Sequence, residues 1–177
     1  MSNKTALLIV DVQVFLIEHA YQGNEIVKRI ANLLSRARVL EIPVLHVQHT
    51  GKVGGPFEEG TPSWLLHPSI VPADNEPIIR KTACDSFFQT SLQNELETKG
   101  INHLVIVGLQ TEYCIDTTCR RAVSIGYDVT LVKDCHSTFD GEFLKADQII
   151  AHHNSILDGF GTPNNQILVK ESKSLFI

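Results

Sequence analysis

Three side chains in this 177-residue sequence could together cleave an amide: a carboxylate, an ammonium and a thiol. Asp11 follows an apolar run, Lys81 follows a short extended segment at 77–80, and Cys114 follows a second apolar run through a tight turn. A carboxylate can accept the thiol proton and later return it to a leaving amine, while an ammonium stabilises negative charge. The thiolate is the attacking species. These residue types therefore predict covalent hydrolysis that needs no histidine.

The position of Cys114 at the start of a predicted helix adds to this interpretation. Unpaired N–H groups and the dipole at a helix N-terminus favour the thiolate, so we expect a lowered pKa for Cys114. The same N–H groups could donate to an oxyanion. Each residue also has an ordinary explanation, because an aspartate at a strand end often caps a turn and a single cysteine often fills a core.

The elements that would position these residues follow from the hydrophobic pattern. Short Val-, Ile- and Leu-rich runs without alternation are typical of strands buried on both faces of a parallel sheet; they occur at 6–10, 43–47, 104–107, 129–132 and 167–169. Helical periodicity occurs between them at 24–40, 90–99, 115–124 and 142–157. Gly100 and Gly126 follow two of these helices, where a left-handed residue would end them. The order predicts an α/β sandwich with a mainly parallel sheet, in one domain spanning 1–177.

The segment 51–77 interrupts this alternation. It holds five of the seven prolines and four glycines, with no regular period. A long ordered connection in a compact domain is often a lid or one wall of a pocket. A plain surface loop is the alternative.

Composition bears on partners and location. The net charge is −5 and the 15 Lys and Arg residues are scattered, so we expect no nucleic-acid partner. The run at 6–10 is too short for a signal sequence or a membrane span, so we expect a cytoplasmic protein without a membrane partner. No Gly-x-Gly-x-x-Gly follows a strand, and we expect no cofactor. The four cysteines, whose spacing fits no Cys-x-x-Cys pattern, are expected to be reduced: Cys84, Cys114, Cys119 and Cys135.

The sequence resembles the isochorismatase-like cysteine hydrolase superfamily, which includes nicotinamidases and carbamoyl-sarcosine amidases. The similarity covers nearly the whole chain. Its motifs are 7–13 (LLIVDVQ), Lys81 with Ser86-Phe87 and Thr90-x-Leu92, 108–114 (GLQTEYC), 126–129 (GYDV) and Asp134.

The resemblance implies a three-layer sandwich around a six-stranded sheet, with Asp11, Lys81 and Cys114 as the catalytic triad. It also implies a cis peptide between Leu109 and Gln110, and an oxyanion site formed by the backbone N–H groups of Gln110 and Cys114. Members are commonly dimers or tetramers in which a partner chain sometimes completes the pocket, so a homodimer or homotetramer is expected.

Other side chains receive weaker predictions. Gln13, Phe15, Trp64 and Tyr113 could line a pocket for a small planar amide, although core packing explains them equally well. His136 either faces the substrate or belongs to a polar turn. Metal-dependent nicotinamidases carry an Asp-x-His pair after the second strand; here the sequence is His46-Val47-Gln48-His49. Residues three apart on a strand point to opposite faces, so no metal site is expected. Cys84, Cys119 and Cys135 are expected to be packing residues.

Three functions remain open from the sequence. The first is hydrolysis of a C–N bond in a small amide or carbamoyl compound through a thioester. The second is the isochorismatase reaction, which cleaves a vinyl ether and needs no cysteine. The third is a non-catalytic binding or scaffold protein on the same fold.

Overall fold

A computed structural model describes residues 4–177 and contains one six-stranded sheet flanked by helices. The strands are β1 (Thr5–Val10), β2 (Val44–His49), β3 (Ile78–Lys81), β4 (His103–Leu109), β5 (Asp128–Ser137) and β6 (Ile167–Lys170). The α-helices are α1 (Val14–His19), α2 (Gly23–Val39), α3 (Leu92–Thr98), α4 (Asp116–Ser124) and α5 (Ala146–Leu157). Short 3-10 turns occur at Pro68–Ile70 and Ser172–Ser174, and a π-helical turn, Thr111–Ile115, leads into α4.

All five strand pairings are parallel, in the order β3-β2-β1-β4-β5-β6. The order reverses beside β1, with β2 on one side and β4 on the other. Ligands in open α/β sheets bind beyond the carboxyl ends of the strands near such a switch point. The predicted α/β sandwich with a parallel sheet is confirmed.

Alternate residues of the central strands enter two separate cores, which explains why their sequences are apolar without alternation. In β1, Leu8 and Val10 pack into the core beneath α3 and α4, whereas Leu7 and Ile9 pack into the core beneath α1 and α2. The helices therefore form two layers with the sheet between them.

The segment 51–77 is tied to the chain that follows β1. Backbone bonds join Val14 N to Leu65 O (2.9 Å), Phe15 N to Ser63 O (3.1 Å) and His67 N to Val12 O (2.9 Å). These bonds hold the segment against the carboxyl end of the sheet, where it contributes one wall of a cavity described below.

Several boundaries differ from the sequence-based predictions. The short helix α1 was not predicted, because its six residues are too few to show a helical period. Helix α5 begins at Ala146 and not at residue 142, and the side chain of Gln148 accepts a hydrogen bond from the backbone N–H of Lys145 at 2.9 Å at this end. Gly100 and Gly126 have φ of 64° and 101°, which confirms the predicted helix ends. No helix within residues 4–177 is long and apolar enough to cross a membrane.

Candidate active site

The carboxyl ends of β1, β3 and β4 bring Asp11, Lys81 and Cys114 together. The Lys81 ammonium lies 2.7 Å from Asp11 Oδ2 and 3.1 Å from Cys114 Sγ, and it donates to the carbonyl oxygen of Ala83 at 2.9 Å. The ammonium is therefore surrounded by a carboxylate, a sulfur and a carbonyl oxygen. Asp11 and Lys81 are 0% and 2% exposed, so this contact is shielded from solvent. The sequence-based expectation that these three groups meet agrees with the structure.

Asp11 reaches this position through a left-handed turn. Its N–H extends the β1 ladder by donating to Val47 O (3.0 Å), and its own φ is 51°. Aspartate tolerates this conformation better than most residues. Both oxygens of the buried carboxylate, Oδ1 and Oδ2, lack a hydrogen bond within residues 4–177, and Oδ2 forms the ion pair with Lys81. The carboxylate therefore has free capacity to accept a proton.

Gly108 makes close approach of β1 and β4 possible. Its φ is 125°, which side-chain-bearing residues rarely adopt, and a Cβ there would overlap the backbone of Val10. The glycine therefore lets the end of β4 lie directly beside the end of β1. The turn Thr111–Ile115, which contains Cys114 and is called the nucleophile turn below, follows from there.

Cys114 lies in the π-helical turn and not at the first position of a helix. The turn begins at Thr111, and Gln110 O accepts from the N–H groups of Tyr113 (3.2 Å) and Ile115 (3.1 Å). The peptide bond between Leu109 and Gln110 is cis. The sequence prediction placed the helix start at Cys114, three residues too late, because a π turn has no helical period to recognise.

The end of β5 holds this turn in place through side chains. Thr111 Oγ1 and His136 Nδ1 are 2.8 Å apart, and His136 Nε2 lies 3.0 Å from Asn154 Oδ1. Thr138 donates to Glu112 Oε1 at 2.8 Å and accepts from the amide of Gln110 at 3.4 Å. The side chains of His136 and Thr138 thus hold the first residues of the nucleophile turn in place.

Electrostatics at Cys114 contradict the sequence-based expectation of a lowered pKa. Burial and the negative charge of Asp11 raise the pKa of Cys114, and the charge of Lys81 only partly opposes them. Burial acts to lower the pKa of Lys81, but the neighbouring Asp11 and Cys114 together raise it. The resting cluster is therefore an ammonium, a carboxylate and a protonated thiol, with no net charge.

A cavity of about 200 Å³ opens onto this cluster. Leu16, Phe57 and Tyr113 supply apolar surface, while His49, Cys84 and Gln110 complete the lining around Asp11 and Cys114. Phe57 comes from the segment 51–77, which therefore serves as one wall of the pocket, as the sequence suggested. A larger cavity of about 630 Å³ lies at the amino ends of β1 and β2, away from the cysteine.

The predicted pocket residues fall into two groups. Tyr113 lines the cavity. The other four do not line it. Gln13 is buried and bonds backbone atoms of His49 and Trp64, and Trp64 is buried with its indole N–H bonded to Thr50. Phe15 packs edge-on against Phe57, and His136 contacts Thr111. These four side chains support the site, and their direct contact with a ligand stays a prediction.

Four residues line the cavity but were not predicted from the sequence as pocket residues: Leu16, His49, Phe57 and Cys84. Cys84 was expected to be a packing residue, but it is partly exposed and shares the cavity with Cys114. Cys119 and Cys135 are fully buried in the two cores, as predicted. The signal for His49 was its place at the last position of a strand, immediately beside the expected site.

The two histidines of β2 point to different surroundings, as predicted from their spacing. His46 is fully buried and bonds Glu76 Oε2 at 3.1 Å, and Glu76 also forms a two-point ion pair with Arg38 at 2.8 Å. His49 faces the catalytic cavity. Among residues 4–177, no group of three or more His, Cys, Asp or Glu side chains has an arrangement that could hold a metal ion.

Comparison with known proteins agrees with this architecture. The isochorismatase domain model matches residues 5–152. The chain is 36% identical over 138 residues to a streptothricin hydrolase from Streptomyces noursei, covering 76% of this chain and 50% of that protein. It is 34% identical over 140 residues to the Bacillus subtilis (strain 168) protein YddQ, an uncharacterized isochorismatase family protein, covering 76% and 78%. The chain spans about half the length of the streptothricin hydrolases that it matches.

Among solved structures, an isochorismatase from Pseudomonas putida KT2440 superposes with a TM-score of 0.90 at 31% identity, covering 97% of this chain and 90% of that one. The resemblance noted from the sequence motifs is therefore confirmed over most of the described residues. The chain belongs to the isochorismatase family.

Proposed function

We propose that this protein is a cysteine hydrolase that cleaves a C–N bond of a small amide or carbamoyl compound through a thioester on Cys114. The observation that carries the proposal is the Lys81 ammonium, which contacts both Asp11 (2.7 Å) and Cys114 (3.1 Å) at the edge of a cavity. The similarity to a streptothricin hydrolase supports hydrolysis as the reaction class.

Charge balance explains how a thiol with a raised pKa can act as the nucleophile. Release of its proton to solvent would leave an uncompensated negative charge beside a buried carboxylate, which is costly. Transfer of the same proton to Asp11 keeps one cation and one anion in the cluster. The proton therefore moves to Asp11 as sulfur attacks, and Lys81 remains paired with a negative group throughout.

The steps of the reaction follow from this transfer. Sulfur bonds to the carbonyl carbon while Asp11 takes the thiol proton, and the oxygen gains the negative charge. The N–H groups of Gln110 and Cys114 are assigned to that oxygen. Collapse of the intermediate breaks the C–N bond, and the amine leaves with the proton held by Asp11. Water then attacks the thioester carbon and gives a proton to Asp11. The C–S bond breaks, the carboxylic acid departs, and Asp11 returns its proton to the sulfur of Cys114.

The test is turnover by purified wild-type and variant proteins on nicotinamide, an N-carbamoyl amino acid, streptothricin and isochorismate. Ammonia or amine release is the readout for the first three compounds, and pyruvate release is the readout for isochorismate. We expect C–N cleavage of at least one of the first three compounds and its loss in Cys114→Ala. Cys135→Ala, which alters a buried thiol in the other core, is the matched control and should keep turnover.

Acid-quenched wild-type protein should carry an acyl group on the peptide containing Cys114. Full C–N hydrolysis by Cys114→Ala would overturn the mechanism. Cleavage of isochorismate alone, undiminished in that variant, would assign the chain to the vinyl ether reaction. Absence of turnover with every compound, together with no acyl group on Cys114, would favour a non-catalytic role.

A further inference from the structure

The cavity beside Cys114 contains a histidine that the proposed mechanism does not use. His49 lines the cavity, and its Nδ1 is buried without a hydrogen-bond partner within residues 4–177. A buried polar atom without a hydrogen bond destabilises the folded protein, so such atoms usually have a structural or functional explanation. The imidazole of His49 therefore retains hydrogen-bonding capacity at the wall of the cavity, where a ligand could use it.

The fold directs His49 toward the reacting groups. His49 and Lys81 are register partners in the parallel pair of β2 and β3, so their side chains leave the sheet on the same face. The imidazole ring is held edge-on against Phe57, with ring centroids 5.3 Å apart. Its placement is thus fixed by a strand on one side and by the wall of the cavity on the other.

Gln13 fixes the backbone from which His49 projects. Its amide nitrogen donates to His49 O at 3.0 Å and to Trp64 O at 2.7 Å, while its oxygen accepts from His49 N at 3.0 Å. Gln13 is fully buried, so these bonds are protected from water. Both polar backbone atoms of His49 are therefore held by one side chain that begins two residues after Asp11.

The charge of the cavity indicates which ligands it accepts. The ammonium of Lys81 is already shared among Asp11, Cys114 and Ala83, and among residues 4–177 no Lys or Arg lines the cavity. Burial and the positive charge of Lys81 lower the pKa of His49, so its imidazole is neutral near pH 7. A carboxylate or phosphate would find no free cation, whereas a neutral carboxamide could bond a neutral imidazole.

We propose that His49 is a substrate-binding residue that selects neutral carboxamides by a hydrogen bond to the amide group, with Gln13 as its positioning residue. The inference rests on the proposed function for the identity of the nucleophile. It assigns substrate specificity to a side chain that takes no part in the proton transfers of the proposed mechanism.

The rate of alkylation of Cys114 tests whether His49 selects neutral carboxamides, and the measurement does not require turnover. Iodoacetamide is a neutral primary carboxamide, and iodoacetate is the anion of nearly the same size; with either reagent the S–C bond forms, the C–I bond breaks, iodide leaves and the thiol proton is released. Methyl methanethiosulfonate, a small neutral reagent without an amide, reports thiol reactivity and access. Rates at Cys114 and Cys84 are followed separately by peptide mass spectrometry.

In the wild type, the preference of Cys114 for iodoacetamide over iodoacetate should exceed that of free glutathione by about tenfold or more. His49→Phe keeps a ring and removes both nitrogens; it should lower the iodoacetamide rate at Cys114 about tenfold relative to the methanethiosulfonate rate. His49→Asn, which restores a donor and an acceptor, should recover most of the loss. For the native substrate class, His49→Phe should raise KM more than it lowers kcat.

Equal losses with iodoacetamide and methanethiosulfonate would show that His49 controls only access or thiol reactivity, and would overturn the inference. A wild-type preference no greater than that of glutathione would also overturn it, and this result does not depend on whether His49→Phe folds. Retained selectivity without any amide hydrolysis would instead overturn the proposed function and leave the binding role of His49 standing.

Discussion

Replacing Asp11 with Asn should make Cys114 more reactive toward alkylating reagents while abolishing turnover. The carboxylate raises the pKa of the thiol, and Lys81 opposes it. The variant keeps the ammonium and the shape of the side chain but loses the negative charge. The thiolate would then pair with Lys81 alone, whereas no group would remain to carry the proton to the leaving amine.

The magnitude follows from the distances in the cluster. Asp11 Oδ2 and Cys114 Sγ lie 2.7 and 3.1 Å from the same nitrogen. At a separation of about 5 Å and an effective dielectric constant of about 20, one unit charge contributes about 3 kcal/mol, which is about a hundredfold in thiolate population. Because a less basic thiolate is also a weaker nucleophile, the net gain in alkylation rate is about tenfold.

The assay is the iodoacetamide rate at Cys114 near pH 8, resolved by peptide mass spectrometry. Cys84 lines the same cavity and acts as an internal control for access. We expect a faster rate at Cys114, an unchanged rate at Cys84, and turnover reduced by at least about a hundredfold. A rate at Cys114 that is unchanged or slower, with Cys84 unaffected, would refute the argument that the carboxylate keeps the proton on sulfur.

Two further predictions concern the framework of the site. Gly108→Ala should lower the free energy of unfolding by more than about 2 kcal/mol and reduce turnover, because the new Cβ would overlap the backbone of Val10; an unchanged urea midpoint would contradict this. Burial lowers the pKa of His136 to about 4, so the unfolded chain binds a proton there below pH 6.5 and the folded chain does not. Stability should therefore fall by up to about 3 kcal/mol as the pH drops from 6.5 to 4, and His136→Gln should show a smaller loss over that window; an equal loss in the variant would assign the acid sensitivity to other groups.

The sequence was sufficient to predict the sheet and the meeting of the three reactive groups. Apolar runs without alternation identify buried parallel strands, and a side chain that follows such a strand must lie at the carboxyl edge of the sheet. Asp11 satisfies this rule directly. Lys81 is the last residue of β3, an edge strand in which burial alternates, and it was placed at this edge by the extended segment before it. Cys114 satisfies the rule through the turn that begins at Gly108, whose glycine and cis peptide give no periodic signal.

The lining of the cavity was harder to predict because it depends on contacts between distant segments. Phe57 reaches the site only because backbone bonds tie the segment 51–77 to residues 12–15. Gln13 and Trp64 have the side chains expected of pocket residues, but their polar atoms are consumed by bonds to the backbone. A sequence motif identifies residues such as Gln13 and Trp64 as part of the site. It does not indicate whether their side chains line the cavity or support another residue that lines it.

The pKa of Cys114 shows why local sequence can give the wrong sign for an electrostatic property. A helix start in the sequence favours the thiolate, and its effect reaches about one turn. Burial of the thiol and the charge of Asp11, which is more than a hundred positions away in the chain, act on the same sulfur and outweigh it. The consequence is chemical: a protonated thiol beside an ion pair needs a base at the moment of attack, and the carboxylate that raises its pKa is placed to be that base.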